Sequence, residues 1–133
     1  MVRLVKGAYW DSEIKHAQEA GLSDYPVYTR KPSTDLSYQV CAERLMAARD
    51  VFYPQFATHN AYSVSLIIEL VKKWNIDASE FEFQRLHGMG HLLYDMVKEN
   101  TDVDFNIRVY APVGAHKDLL PYLVRRLLEN GAN

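Results

Sequence analysis

Residues 81–86 read FEFQRL and residues 105–111 read FNIRVYA. In the first, Phe81 and Phe83 alternate with Glu82 and Gln84. In the second, Phe105, Ile107 and Val109 alternate with Asn106, Arg108 and Tyr110. A period of two is the signature of a strand, with successive side chains on opposite faces. Helices would cover the apolar parity, which turns the polar parity inward. That arrangement is odd for a doubly wound sheet covered by helices on both faces, and suits a barrel whose axis holds a polar ligand.

Outward from these two strands the pattern repeats. Residues 2–9 and 52–58 are β-like, so four strands are expected. Asp11 is placed to cap a short helix over residues 12–20, closed by Gly21. Ser33 or Thr34 can cap a helix to about Ala48, with Leu36, Val40, Cys41 and Leu45 at helical spacing. Asn60 can begin a helix to about Trp74 that buries Val64, Ile67, Ile68 and Val71. A glycine turn at Gly88 and Gly90 leads into a helix from about Leu92 to Glu99, and a last helix follows the fourth strand. Strict β-α alternation implies parallel strands joined by right-handed crossovers. A complete (β/α)8 barrel takes roughly 250 residues. The fold class expected for four units in 133 residues is therefore α/β, half of such a barrel.

The composition is that of an ordinary globular domain, with 48% hydrophobic residues and a net charge of −2. No basic run interleaved with aromatics points to nucleic acid. The single cysteine, Cys41, excludes an intrachain disulfide, fits a reducing compartment, and is expected to be inert core. The apolar stretch around residues 66–71 is far shorter than the roughly 20 residues that span a bilayer. Met1 opens directly onto a strand pattern, and Asn133 follows a stop signal at Gly131 by two residues. Together these predict a piece of a longer polypeptide.

Ligands of parallel α/β folds bind at the carboxyl ends of the strands. Those ends carry Gly7, Ala8, Tyr9 and Trp10; Thr58, His59 and Asn60; Leu86, His87 and Gly88; and Tyr110, Ala111 and Pro112. The last helix begins at the same rim. On it Tyr122, Arg125, Arg126 and Glu129 form one polar stripe at i, i+3, i+4 and i+7, beside apolar Leu119, Leu120, Leu123, Val124, Leu127 and Leu128. Two adjacent guanidiniums repel unless they are solvated or share an anion such as a carboxylate or phosphate, and both readings stand. Arg3, on the inward parity with Val5 and Gly7, is read as a buried arginine in need of a functional partner. His87 and His91 have the i, i+4 spacing of a metal pair, but the glycines between them argue against a continuous helix, and no metal is expected.

Five runs carry a family resemblance: RLVKGAYWDSEIK (residues 3–15), YPVYTRK (25–31), YPQFATHN (53–60), EFQRLHGMG (82–90) and YAPVGAHKDLLPYLVRRLLENGAN (110–133). They closely resemble the proline dehydrogenase domain of bacterial bifunctional proline utilisation flavoenzymes, over strands five to eight of its distorted (β/α)8 barrel. The resemblance implies one domain over residues 1–133, with the N-terminal half of the barrel missing. It implies FAD-dependent oxidation of L-proline to pyrroline-5-carboxylate, by hydride transfer to flavin N5, with a membrane quinone as electron acceptor. It assigns the substrate carboxylate to Arg125 and Arg126, and the rest of the proline pocket to Ala8, Tyr9, Leu86, Tyr110 and Tyr122. It brings Arg3 to the flavin and gives Val5, Gly7, Ala8, Trp10, Thr29, Thr58, His59 and Asn60 to the cofactor, Trp10 stacking on one of its rings. It makes Arg3, Tyr110, Arg125 and Arg126 the catalytic set. His91, Arg85 and Lys117 depart from the family pattern without removing a chemical role. The pocket's lysine and aspartate belong to the missing half, which leaves the arginine pair short of an acidic partner. The location implied is cytoplasmic, with peripheral attachment to the inner face of the bacterial membrane allowed, and an aldehyde dehydrogenase domain in the same polypeptide is left open. Two other classes compete: a metal-dependent (β/α)8 hydrolase using His59, His87 and His91, and a non-catalytic truncated product.

Overall fold

A computed structural model describes residues 1–132; Asn133, which ends the last of the five runs, lies outside the described residues. The chain runs β1 (Val2–Val5), α1 (Trp10–Glu19), α2 (Lys31–Ala47), β2 (Pro54–Ala57), α3 (Ala61–Trp74), a 3-10 turn (Ala78–Glu80), β3 (Glu82–Leu86), α4 (His91–Glu99), β4 (Asn106–Tyr110) and α5 (His116–Ala132). The four strands form one sheet in the order β1-β2-β3-β4, every neighbouring pair parallel. The α/β alternation and the parallel sheet thus match the expectation.

The two faces differ as the alternation requires. Leu4, Phe56, Phe83 and Ile107 share one register row, and α2, α3 and α4 cover that face with Tyr38, Ala42, Met46, Val64, Ile67, Ile68, Val71 and Tyr94. Phe83 is the hub, with its ring centroid 5.2 Å from Phe105, 5.5 Å from Tyr94 and 5.8 Å from Phe81. Edge-on and tilted aromatic pairs of this kind add to the burial of area itself. The opposite parity carries Arg3, Gln55, Glu82, Gln84 and Arg108.

Several boundaries shift from the expectation, each for a physical reason. Strand β1 stops at Val5 because Gly7 takes a positive φ of 76° and turns the chain. Helix α1 begins at Trp10, not after Asp11, and its N-cap is Tyr9 in the left-handed region at φ 61°. Helix α2 begins at Lys31 with Pro32 in the first turn, where a missing N–H costs nothing, so neither Ser33 nor Thr34 is the cap. Its buried face is Tyr38, Ala42 and Met46, whereas Leu36 and Val40 point to solvent and Cys41 is exposed. The short Ala42 side chain lets α2 lie close to the sheet, and this outweighs the larger apolar residues one step round the helix. Helix α4 begins at His91, and α5 continues through Gly131 to Ala132, so that glycine is no stop.

Asn60 does cap α3, its Oδ1 accepting from the Ser63 N–H at 2.9 Å, and the expected buried face is found. Asn60→Ala is expected to lower the free energy of unfolding by about 1 kcal/mol, read from the urea midpoint.

Candidate functional site

Helix α5 lies across the carboxyl ends of the strands with its polar stripe turned toward them. Arg126 has a side chain only 18% exposed, while Leu120, Val124, Leu127 and Leu128 are among the exposed residues. Amphipathicity alone would place the leucines inside. What holds the helix this way round is a polar clasp near its end. His59, just beyond β2, accepts the Leu86 N–H at Nε2 (3.0 Å), which leaves the ring proton on Nδ1 to be donated to Asn130 Oδ1 at 3.1 Å. Asn130 in turn donates to the Met89 sulfur at 2.9 Å. Burial, with a smaller effect from the Arg85 charge, lowers the His59 pKa and favours the neutral ring that the clasp needs.

The clasp brings the α5 stripe over two spaces. A small cavity of about 40 Å³ is lined by Val5, Thr58, His59, Asn60, Leu86, Tyr110 and Arg126, with Lys6, Ala57, Glu129 and Asn130 completing it. A cleft of about 850 Å³ lies between α1, the start of α2 and α5, with Gly7, Tyr9, Trp10, Tyr28, Thr29, Lys31 and Arg125 in its wall. That volume is within the roughly 300–1,000 Å³ of small-molecule and cofactor sites. Arg126 and Glu129 line both spaces and so form their common wall.

At that wall Arg126 donates to Glu129 across one helical turn at 2.8 Å, and its guanidinium stands 5.4 Å from the Tyr122 ring centroid. The Arg126 Nε–H is buried and has no partner among the described residues. A buried unpaired donor costs about 1–3 kcal/mol, a cost that an acceptor placed there would remove. Burial raises the pKa values of Glu129 and Tyr110, the latter also through Tyr122. Arg126 thus has one acidic partner, Glu129, on its own helix.

Most of the residues expected to act together do meet at this rim. Val5, Thr58, His59, Asn60, Leu86, Tyr110 and Arg126 surround the cavity, and Gly7, Tyr9, Trp10, Thr29, Arg125 and Arg126 the cleft. Trp10 is fixed by donation from its ring N–H to the Tyr28 carbonyl at 2.9 Å. Tyr9 keeps its left-handed backbone at the cleft edge, a strained state of the kind found at ligand sites. Ala8, Arg3 and Tyr122 line neither space. Arg3 is neither buried nor unpaired, contrary to its reading from parity: it is exposed, donates through Nε to Gln84 Oε1 at 2.7 Å, and lies 5.0 Å from the Tyr110 ring centroid. Asn130, Lys15, Lys31 and Tyr28 were not foreseen. The run at residues 25–31 held the signal for the last two.

The histidines proposed for a metal hydrolase do not assemble. His59 uses both ring nitrogens in the clasp, and His91 bonds Asp95 at 2.7 Å on the exposed side of α4. Among the described residues no three His, Cys, Asp or Glu side chains converge on one point.

The sequence profile of the family described as proline dehydrogenase matches residues 1–133. The chain is 58% identical to the bifunctional protein PutA of Escherichia coli over 136 aligned residues, which cover all of this chain and 10% of that protein. It is 33% identical to proline dehydrogenase 1 of Bacillus subtilis, across 99% of this chain and 38% of that one. A crystal structure of proline utilization A from Bradyrhizobium japonicum superposes with a TM-score of 0.85 at 60% identity, covering the whole chain and 13% of its counterpart. The chain thus spans a small part of the length of these relatives.

Proposed function

The chain belongs to the proline dehydrogenase family, and from that premise we propose that it supplies part of the active site for FAD-dependent oxidation of L-proline to pyrroline-5-carboxylate. The observation that carries this is the buried, unpartnered Nε–H of Arg126 beside Arg125, on a helix face held over the strand ends. A carboxylate is the planar anion that two adjacent guanidiniums accommodate, with charge-assisted bonds that orient as well as bind. Tyr110 and Tyr122, with Leu86, are assigned to the proline ring. The fold proposed is the C-terminal half, strands five to eight, of a distorted (β/α)8 barrel, in keeping with the sequential parallel order and the polar inner face.

The residues of the cleft suit the cofactor. The cleft offers Trp10 for stacking, the Thr29 hydroxyl for hydrogen bonding, and Lys15 and Lys31, the latter also 2.6 Å from Asp35, for anionic groups. Bound FAD would take a hydride from the ring carbon beside nitrogen, while the amine proton leaves and a C=N bond forms. Arg3 contributes a fixed positive charge, which favours an anionic reduced ring. Gly7 lies in the cleft wall, and Val5, Thr58, His59 and Asn60 line the adjoining cavity. A membrane quinone is the onward electron acceptor in this reading, and catalysis belongs to the longer protein that brings the other barrel strands and the second acidic partner. Among the described residues no helix is long and apolar enough to cross a membrane, and a cytoplasmic protein at the membrane's inner face is proposed.

The test is product capture. The full-length protein loaded with FAD and given L-proline and a soluble quinone should yield the coloured adduct of pyrroline-5-carboxylate with o-aminobenzaldehyde. FAD-loaded protein that forms no adduct would remove the proposed activity.

A further inference from the structure

The polar face of the sheet holds a chain of hydrogen bonds whose direction is fixed at both ends. Glu82, with a side chain 3% exposed, accepts from Arg108 Nε at 2.7 Å and from the second Arg108 nitrogen at 2.8 Å. It also accepts from Gln55 Nε2 at 2.8 Å and from Gln84 Nε2 at 2.6 Å. Arg108 foremost, then Gln84 and Gln55, holds the Glu82 carboxyl down at about 2 against the burial that would raise it, so Glu82 is an ionised, acceptor-only group. At the other end the Arg3 guanidinium can only donate. Gln84, almost fully buried, sits between them, and one amide orientation satisfies both: its NH2 toward Glu82 and its oxygen toward Arg3 Nε. To reach Gln84, Arg3 crosses from β1 over β2. The β2 residue in the Gln84 row is Ala57, whose methyl group leaves the path open.

We propose that Gln84 is a positioning residue for Arg3, oriented by Glu82 so that it grips the Nε edge of the guanidinium and leaves the two terminal nitrogens for the ligand over the strand ends. Tyr110, under the guanidinium, supplies the second constraint. Among the described residues the terminal nitrogens of Arg3 donate to no acceptor, so their role is open to a ligand. The inference rests on the reading that Arg3 serves the flavin. A relay of this kind explains why a carboxylate and an amide, Glu82 and Gln84, occupy buried strand positions that apolar residues could fill with less desolvation.

A double-mutant cycle in the full-length, FAD-loaded protein tests it, with Arg3→Met, Gln84→Met and the pair read by kcat/KM for L-proline and by the flavin midpoint potential. Gln84→Met keeps the volume and should lower kcat/KM roughly tenfold, as displacement of a positioned group does. Arg3→Met should cost more. Both should move the potential downward, since the reduced anionic ring loses its cation. If Gln84 acts through Arg3, the double variant should match Arg3→Met within about twofold in rate and show the same potential. Additive losses would overturn the proposal, because Gln84 would then act on its own or on folding alone. Glu82→Gln provides a second route that preserves shape: it frees the amide to flip, and its effect should also vanish in the Arg3→Met background. An Arg3→Met protein that oxidises proline with an unchanged potential would overturn the role of Arg3 and this inference together, leaving the assigned activity standing.

Discussion

Arg126→Met is expected to raise the KM for L-proline by roughly two to three orders of magnitude while kcat falls less and FAD content stays near that of the unaltered protein. Removing one partner of a buried, hydrogen-bonded charge pair costs about 2–5 kcal/mol, and each 1.4 kcal/mol is tenfold. Arg126 is the more enclosed of the pair, with Glu129 and Tyr122 fixing its guanidinium. Arg125 is exposed on the cleft side, so Arg125→Met should cost less. Steady-state kinetics on both variants check the order. An Arg126→Met enzyme with unaltered KM would mean that the carboxylate lies elsewhere.

Gly90→Ala should be the most destabilising small substitution at the rim. Gly90 has φ +69°, and a Cβ there would meet His59 Cδ2 at 2.7 Å. Two costs combine. The left-handed backbone costs an alanine roughly 1–2 kcal/mol. Displacing the His59 ring would break its bond to the Leu86 N–H, at about 1–3 kcal/mol for a buried donor left unpaired. The expected sum is about 2–5 kcal/mol, with α5 loosened because the same ring holds Asn130. Gly88→Ala separates the two costs: φ is +82° but nothing lies within 4 Å of the added carbon, so only the backbone part should appear. Urea midpoints of the two variants measure the difference.

Acid titration offers an independent check on the polar face. The folded-state pKa of Glu82 lies below its unfolded value, near 4.5, so its stabilisation is fully present above that value and lost as pH falls toward about 2. Glu82→Gln should be less stable than the parent at neutral pH, and the gap should narrow as the pH is lowered through that window. A constant gap would mean that ionisation of Glu82 does not contribute.

Much of the architecture was legible in the sequence because strand alternation and the Asn60 cap are local signals. Phe83 and Gln84 differ in kind and sit one step apart, and no tertiary context is needed to place them on opposite faces. The buried face of α3 is readable for the same reason, since Val64, Ile67, Ile68 and Val71 lie on one side. Helix α2 is not, because Ala42 at the centre of its contact carries little hydrophobic signal while Leu36 and Val40 carry more. The rim residues follow from topology and from the family resemblance together. What escaped the sequence was orientation: α5 turns its polar stripe to the strands, and the residue that secures it, Asn130, carries no motif. Arg3 was placed on the correct face, but its partner Gln84 is 81 residues away, so the pairing follows only from the strand register.

Anaerobic addition of L-proline to the FAD-loaded full-length protein, beside the same protein carrying Arg126→Met, shows whether the helix-α5 arginine holds proline for flavin reduction. The visible flavin absorbance of the unaltered protein should bleach as the ring is reduced, and the variant should need roughly a hundredfold more proline for the same bleaching. Flavin that stays oxidised at saturating proline, or a variant that bleaches at the same concentration, would contradict this assignment.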